Sequence, residues 1–241
     1  RSLGVREGDV LLIKADLGKI GIIGGKRVSY LDAFLEVIGE YGTLVSPAFT
    51  GCSFVAARLP VFDETNKAIG CGPIANLMLR HTKAVRSSHP TNSFVAIGPH
   101  AKAILSDHKD SAPAYAPIGK IIEMKGKMVL IGTLANAENP AFMTRHYYET
   151  QLGLHRRSMM RFLLSVFYIK DGKKLKFKRS DPGLCPRPAD KLYAEYIKSE
   201  KLTQGYVGNA YSILMDANVV AQIDRSYMEK HPRKQIICIK T

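Results

Sequence analysis

The start of the chain narrows its possible folds more than any other stretch. Val10, Leu11, Leu12 and Ile13 follow Gly8 and Asp9 and end at Lys14. An uninterrupted apolar run of this length predicts a strand buried on both faces. Further on, Tyr30, Ala33, Phe34, Val37 and Ile38 recur at three- and four-residue spacing, which makes one apolar helix face, with Ser29 as its cap and Gly39 and Gly42 ending it. Thr43-Leu-Val-Ser46 is a second strand, stopped at Pro47. Strand, helix, strand in so short a distance is the βαβ unit of a parallel sheet.

The segment joining the first strand to the helix is punctuated by Gly18, Gly21, Gly24 and Gly25. Its spacing fits neither a dinucleotide fingerprint nor a P-loop. Glycines directly after a strand either let backbone N–H groups approach a ligand or serve a turn that needs positive φ.

Similar units follow. Residues 48–72 show no clear period and predict a long loop, which holds the acidic pair Asp63 and Glu64. A helix is expected over 74–81, a strand at Phe94–Ile97, helices from Pro99 and over 118–124, and a strand over 127–131 that ends at Gly132. Asn139 and Pro140 suit the start of a helix through His146 and Glu149. Two runs, 163–169 and 175–178, flank Asp171-Gly172 and read as a β-hairpin with its lysines to solvent. An irregular connector over 182–188, a helix near 192–197, a strand at 212–215, a helix from Asp216 and a strand over 235–239 complete the chain. The expected fold is α/β: one domain over 1–241, its mostly parallel sheet flanked by helices, with a hairpin excursion at about 161–179.

With 46% apolar residues in 241, the chain can bury a substantial core. It has neither an apolar run of membrane-spanning length nor a signal-peptide pattern, so a cytoplasmic, soluble protein is expected. The first residue is Arg1 rather than methionine, from which a preceding segment is expected. Cys52, Cys71, Cys185 and Cys238 form no CxxC or CxxH pair, so free thiols are expected and no metal site. The net charge of +14 favours anionic partners, among them nucleic acid or a phosphorylated cosubstrate. Trp is absent and no aromatic residues interleave the cations as a single-strand binder requires, so nucleic acid is the lesser of the two. Nothing in the sequence fixes an oligomeric state.

Two stretches carry chemistry. Arg86-Ser-Ser-His-Pro-Thr-Asn-Ser93 places a cation, hydroxyls and an imidazole at the head of the Phe94–Ile97 strand, suited either to a phosphate-bearing ligand or simply to a turn. His146 and Glu149, three apart on one helix, lie within reach of each other. A carboxylate beside an imidazole fixes its tautomer and stabilises its protonated form, which suits a general base. The same spacing also occurs in ordinary helix-surface pairs.

Together, these separated segments resemble the antibiotic N-acetyltransferase family, whose named members are aminoglycoside 3-N-acetyltransferases. The resemblance rests on residues 3–10, Phe34 to Gly39 with Gly42 to Pro47, Phe62-Asp63, Val85 to Phe94, Val129 to Gly132, His146-x-x-Glu149, Val207-Gly-Asn-Ala210 and Pro232 to Cys238, in order over nearly the whole chain. It implies an α/β domain that binds acetyl-coenzyme A and transfers acetyl directly to a small-molecule amine, with an aminoglycoside as the foremost acceptor. On this resemblance His146 is the base and Glu149 orients it. Asp16, Leu17, Gly18, Lys19, Ile20 and Gly21, with Arg86, Ser87, Ser88, Thr91 and Ser93, belong to the coenzyme A side. His89 either lines the same cleft or holds the turn, and Asp63 and Glu64 offer carboxylates to the acceptor. Where the family commonly places His-Ser-Ser after the first strand, this chain has Lys14-Ala15-Asp16. The basic balance of the chain and the Lys14-Ala15-Asp16 departure leave two alternatives: an acyltransferase acting on an anionic or sugar-linked biosynthetic amine, and a non-catalytic coenzyme A- or nucleic-acid-binding protein.

Overall fold

A computed structural model of the protein describes residues 2–22, 28–50, 61–133, 142–152, 166–177 and 190–232. Its centre is β1 (Val10–Ala15), which pairs in parallel with β2 (Thr43–Pro47) on one side and with β6 (Lys127–Ile131) on the other. Alternate residues of β1 enter opposite apolar layers. Leu11, Ile13 and Ala15 join Leu31 and Ile38 of α2 (Val28–Ile38) and Ile74 and Met78 of α3 (Pro73–Leu79). Val10 and Leu12 join Ile104 of α4 (Ala101–Leu105), Ile118 and Ile121 of α5 (Ala116–Glu123) and Val220 of α8 (Ala217–Lys230). Covered on both faces, the strand has no polar side to show, which is why its sequence does not alternate.

The seven-stranded sheet runs β4-β5-β2-β1-β6-β10-β9, with β4 (Val85–Arg86), β5 (Phe94–Ile97), β9 (Thr203–Val207) and β10 (Ala210–Asp216). Parallel pairing is confined to β2-β1-β6; β5 joins β2 antiparallel and β10 joins β6 antiparallel. The outermost pairs, β4-β5 and β9-β10, are also antiparallel. Their connections are too short for the crossover that parallel neighbours need. The α/β class holds, and the sheet is mixed rather than mostly parallel. Strand β9 has no counterpart in the sequence reading, because Thr203-Gln-Gly-Tyr-Val alternates weakly and is mostly exposed at a sheet edge. The Gly208-Asn209 turn after it was the available signal. Gly208 has φ +57°, and a β-carbon there would stand 2.2 Å from Ile20 O. The turn therefore buttresses α1 (Leu17–Ile20), onto which Asn209 N–H also donates, at Ile20 O (2.8 Å).

A second sheet, β3-β7-β8, joins β3 (Val61–Phe62) in parallel to the hairpin of β7 (Val166–Lys170) and β8 (Lys173–Phe177). Asp171 and Gly172 both have positive φ, as this tight turn requires, and Lys173, Lys174 and Lys176 are exposed. Tyr168 Oη donates to Asp110 Oδ2 (2.5 Å) and Lys170 Nζ lies 3.3 Å from the same oxygen, which ties the hairpin to the segment after α4.

Three local readings change. The glycine-punctuated turn contains α1, whose N-cap Asp16 accepts from Gly18 N–H (3.1 Å). Ser29 lies inside α2 instead of capping it. The 48–72 loop supplies β3. Gly24, Gly25, Cys52, Asn139, Pro140, Cys185, residues 163–165 and 178–188 and the strand expected over 235–239 lie outside the described residues, as does the Ser29 side chain.

Candidate active site

In open α/β sheets, ligands bind beyond the carboxyl ends of the parallel strands. Three segments meet there. After β1, Asp16 N–H donates to Ile131 O (2.9 Å) at the end of β6, and Lys19 Nζ donates to Gly132 O (2.9 Å). The next residue, Thr133, has a buried Oγ1 without a hydrogen-bond partner. After β2, Phe49 meets Phe94 and Tyr115 edge to face, with centroids at 5.8 and 5.9 Å. Tyr115, just ahead of α5, stacks on His146 at 5.1 Å and 23°. The half-buried His146 thus stands at the end of a ring series that begins at β5 and passes the end of β2.

His146 belongs to α6 (Thr144–Gln151). The helix begins four residues after Pro140, later than the Asn139-Pro140 pair suggests. Its neighbour Tyr147 packs against Gly119 of α5 so closely that a β-carbon there would lie 2.8 Å from Tyr147 Oη. Glu149 lies in the same helix, three residues on, its side chain outside the described set.

The Arg86–Ser93 segment is turned inward. Arg86 donates to Glu64 O (2.8 Å), Asn66 O, Ala48 O (3.1 Å) and Ser93 Oγ (3.3 Å from Nε, 3.2 Å from Nη2), and lies over the Phe62 ring. These bonds occupy its N–H donors on the protein itself. Ser93 Oγ donates to Ala48 O (2.6 Å), and Ser87, His89, Thr91 and Ser93 are buried. Within this set Ser88 is half-exposed. The Arg86 donors and the Ser87 and Ser93 hydroxyls are bonded within the protein, where they close the turn that carries β4 into β5.

His89 holds that turn, its Nδ1 accepting from Asn92 N–H (3.1 Å), and its ring stacks on His108 at 4.8 Å and 14°. Phe94 N–H donates to Ser87 Oγ (2.8 Å), and the same oxygen lies within hydrogen-bond distance of His108 Nδ1 (3.0 Å). Burial, with the neighbouring His89 adding to it, pushes the His108 pKa down to about 3. The unfolded imidazole titrates near 6.5, so the unfolded chain binds the extra proton between those values. Stability contributed by neutral His108 is therefore complete above pH 6.5 and falls by about 1.4 kcal/mol per unit as pH drops below it. Urea unfolding midpoints should decline from pH 7.5 to 5.5, and His108→Gln should flatten that slope; an unchanged slope would assign the acid sensitivity to other groups.

Asp63 and Glu64 lie at the start of the turn after β3. Asp63 accepts from Thr65 Oγ1 (2.6 Å) and Thr65 N–H (2.8 Å), which hold its carboxyl below the usual range, and the Glu64 side chain is exposed. Cys71 Sγ accepts from Phe49 N–H (3.2 Å), and burial pushes its thiol up to about 11, so it stays protonated. Among the described residues no group of three or more His, Cys, Asp or Glu converges as a metal site would, and no helix is long and apolar enough to cross a membrane.

The sequence pattern of the aminoglycoside 3-N-acetyltransferases matches residues 12–229. The chain belongs to the aminoglycoside 3-N-acetyltransferase family. Membership places it among acyltransferases that use acetyl-coenzyme A. Aminoglycoside N(3)-acetyltransferase III of Salmonella sp is 25% identical over 259 residues, 96% of this chain and 89% of that protein. Sisomicin-bound AAC-VIa superposes with a TM-score of 0.75 at 22% identity, covering 95% of this chain and 94% of that one. AAC-IIIb in binary complex with CoASH gives 0.70 at 22% identity, covering 95% and 92%. These two structures share the fold of this 3-N-acetyltransferase family member.

Sequence reasoning missed Phe49 and Tyr115, which carry no motif, and a buried group beneath α6 made of Thr144, Tyr196 and Asp224. One signal for the latter was present. Ala217, Val220, Ala221, Asp224 and Met228 form the buried stripe of α8, and an acid stands where the helical period calls for an apolar residue.

Proposed function

We propose that the chain transfers acetyl from acetyl-coenzyme A to the 3-amino group of an aminoglycoside, with His146 as general base and Glu149 orienting it. The observation that carries this reading is the placement of His146, stacked on Tyr115 at the carboxyl end of the parallel strands. An ammonium has no lone pair to attack a thioester. A base that takes the proton as nitrogen attacks the carbonyl carbon typically contributes about 10² to 10⁴ in rate. The carbon–sulfur bond then breaks, the imidazolium returns a proton to the sulfur so that coenzyme A leaves as a thiol, and the second proton of the former ammonium passes to solvent. Direct transfer needs no acyl-enzyme.

The coenzyme A side falls to Asp16, Gly18, Lys19 and Gly21 after β1, with Ser88 and the unpartnered Thr133 hydroxyl as further donors. Lys14 and Lys19 supply positive charge there, suited to phosphates, while Arg86, Ser87, His89, Thr91 and Ser93 shape the floor. The relative solved as a binary complex with CoASH supports the cosubstrate, and the sisomicin-bound one supports the acceptor. Asp63, kept ionised, and Glu64 offer anionic contacts to a polycation.

The test is release of free thiol from acetyl-coenzyme A with sisomicin and, separately, with an amino-sugar phosphate. Sisomicin should drive release well above the amine-free background and leave the reaction one acetyl group heavier on its 3-amino nitrogen. Faster release with the phosphate would move the acceptor to an anionic amine, and release with neither would remove the transferase reading.

A further inference from the structure

Helix α6 carries the base, and among the described residues its N-terminus has no side-chain cap of its own. Its N-cap, Met143, makes no side-chain cap bond, and its first turn holds no acidic residue. The support comes from 80 residues further along the chain, where Asp224 Oδ2 accepts from Thr144 Oγ1. The other oxygen, Oδ1, accepts from Tyr196 Oη (2.6 Å) of α7 (Asp190–Lys198). Thr144, Tyr196 and Asp224 are fully buried and Arg145 nearly so. Burial, the Asp224 charge and its hydrogen bond push the Tyr196 hydroxyl well above its usual pKa, while Arg145 acts in the opposite direction. The phenol therefore stays a donor. A buried carboxylate is costly unless bonded, and here it stands in an otherwise apolar helix stripe, next to the positive end of α6's dipole.

We propose that Asp224 is a positioning residue for the transfer reaction: braced by Tyr196, it holds the Thr144 hydroxyl and so sets the rotation of α6 and the place of His146. Residues two apart on a helix point to nearly opposite sides. Thr144 accordingly faces α8, while His146 faces Tyr115. A turn of the helix about its axis, allowed once Thr144 is released, swings the imidazole, and a misplacement of about 1 Å at a reacting group costs on the order of a hundredfold in rate. The inference rests on His146 as base.

The decisive variant is Thr144→Val, which keeps shape and removes the hydroxyl, measured in the full chain with acetyl-coenzyme A and sisomicin. It should lower kcat at least tenfold with both KM values within twofold, and Thr144→Ser should recover most of the rate. In a His146→Ala background Thr144→Val should have no further effect on the residual rate, because the clamp acts through the imidazole. Tyr196→Phe, which removes one brace only, serves if Thr144→Val does not fold. The proposal is overturned if Thr144→Val keeps kcat within twofold, or if it lowers the rate by the same factor in both backgrounds. Full activity of His146→Ala alone would instead identify the base assignment as the fault.

Discussion

His146→Ala is expected to lower acetyl transfer to sisomicin by about 10² to 10⁴ while acetyl-coenzyme A still binds. Two other described histidines, His89 and His108, are poor candidates for the role. His89 uses Nδ1 to hold the turn before β5, and His108 is buried at a pKa of about 3, far too weak a base near neutrality. His146 alone of these three is partly open to solvent, and its ring is oriented by the Tyr115 face. Steady-state turnover beside equilibrium binding of acetyl-coenzyme A separates loss of chemistry from loss of the cosubstrate. A variant that turned over within tenfold of the parent would mean that some other group takes the proton. Glu149→Gln should lose less than His146→Ala, since an orienting carboxylate tunes the base without replacing it.

Arg86→Met is expected to cause the largest loss of stability, about 3–5 kcal/mol, because the carbonyls of Ala48, Glu64 and Asn66 and the Ser93 hydroxyl lose a charged donor together. At roughly 2–4 °C per kcal/mol for a domain of this size, the melting temperature should fall by about ten degrees. Lysine is no substitute: its compact ammonium cannot reproduce a planar fork that reaches several acceptors at once. Thermal unfolding of Arg86→Met and Arg86→Lys checks this. A fall of less than about 3 °C in both would show that water or neighbouring groups satisfy those acceptors. The same residue shows how a cation read beside hydroxyls as a ligand cradle can spend its donors on carbonyls of its own chain. From sequence, a cation beside hydroxyls has the same composition whether it faces a phosphate or a ring of carbonyls.

What the sequence by itself determined were the features written into a few neighbouring residues. The unbroken apolar run of β1 required burial on both faces and hence a parallel centre, Asp171-Gly172 required a tight hairpin turn, and the three-residue spacing put His146 and Glu149 on one side of a helix. Hydrophobic period and turn chemistry act over one or two helical turns, so they survive in a linear string. Only the tertiary structure decided the antiparallel flanks of the sheet, the edge strand β9, the inward course of Arg86 and the Thr144–Asp224–Tyr196 group beneath α6. Each of these joins groups far apart in the chain: Arg86 to Ala48, 38 residues back, and Thr144 to Asp224, 80 residues on. Such partners are chosen when the layers close and every buried donor must find an acceptor, a condition on the packed interior that no local pattern encodes.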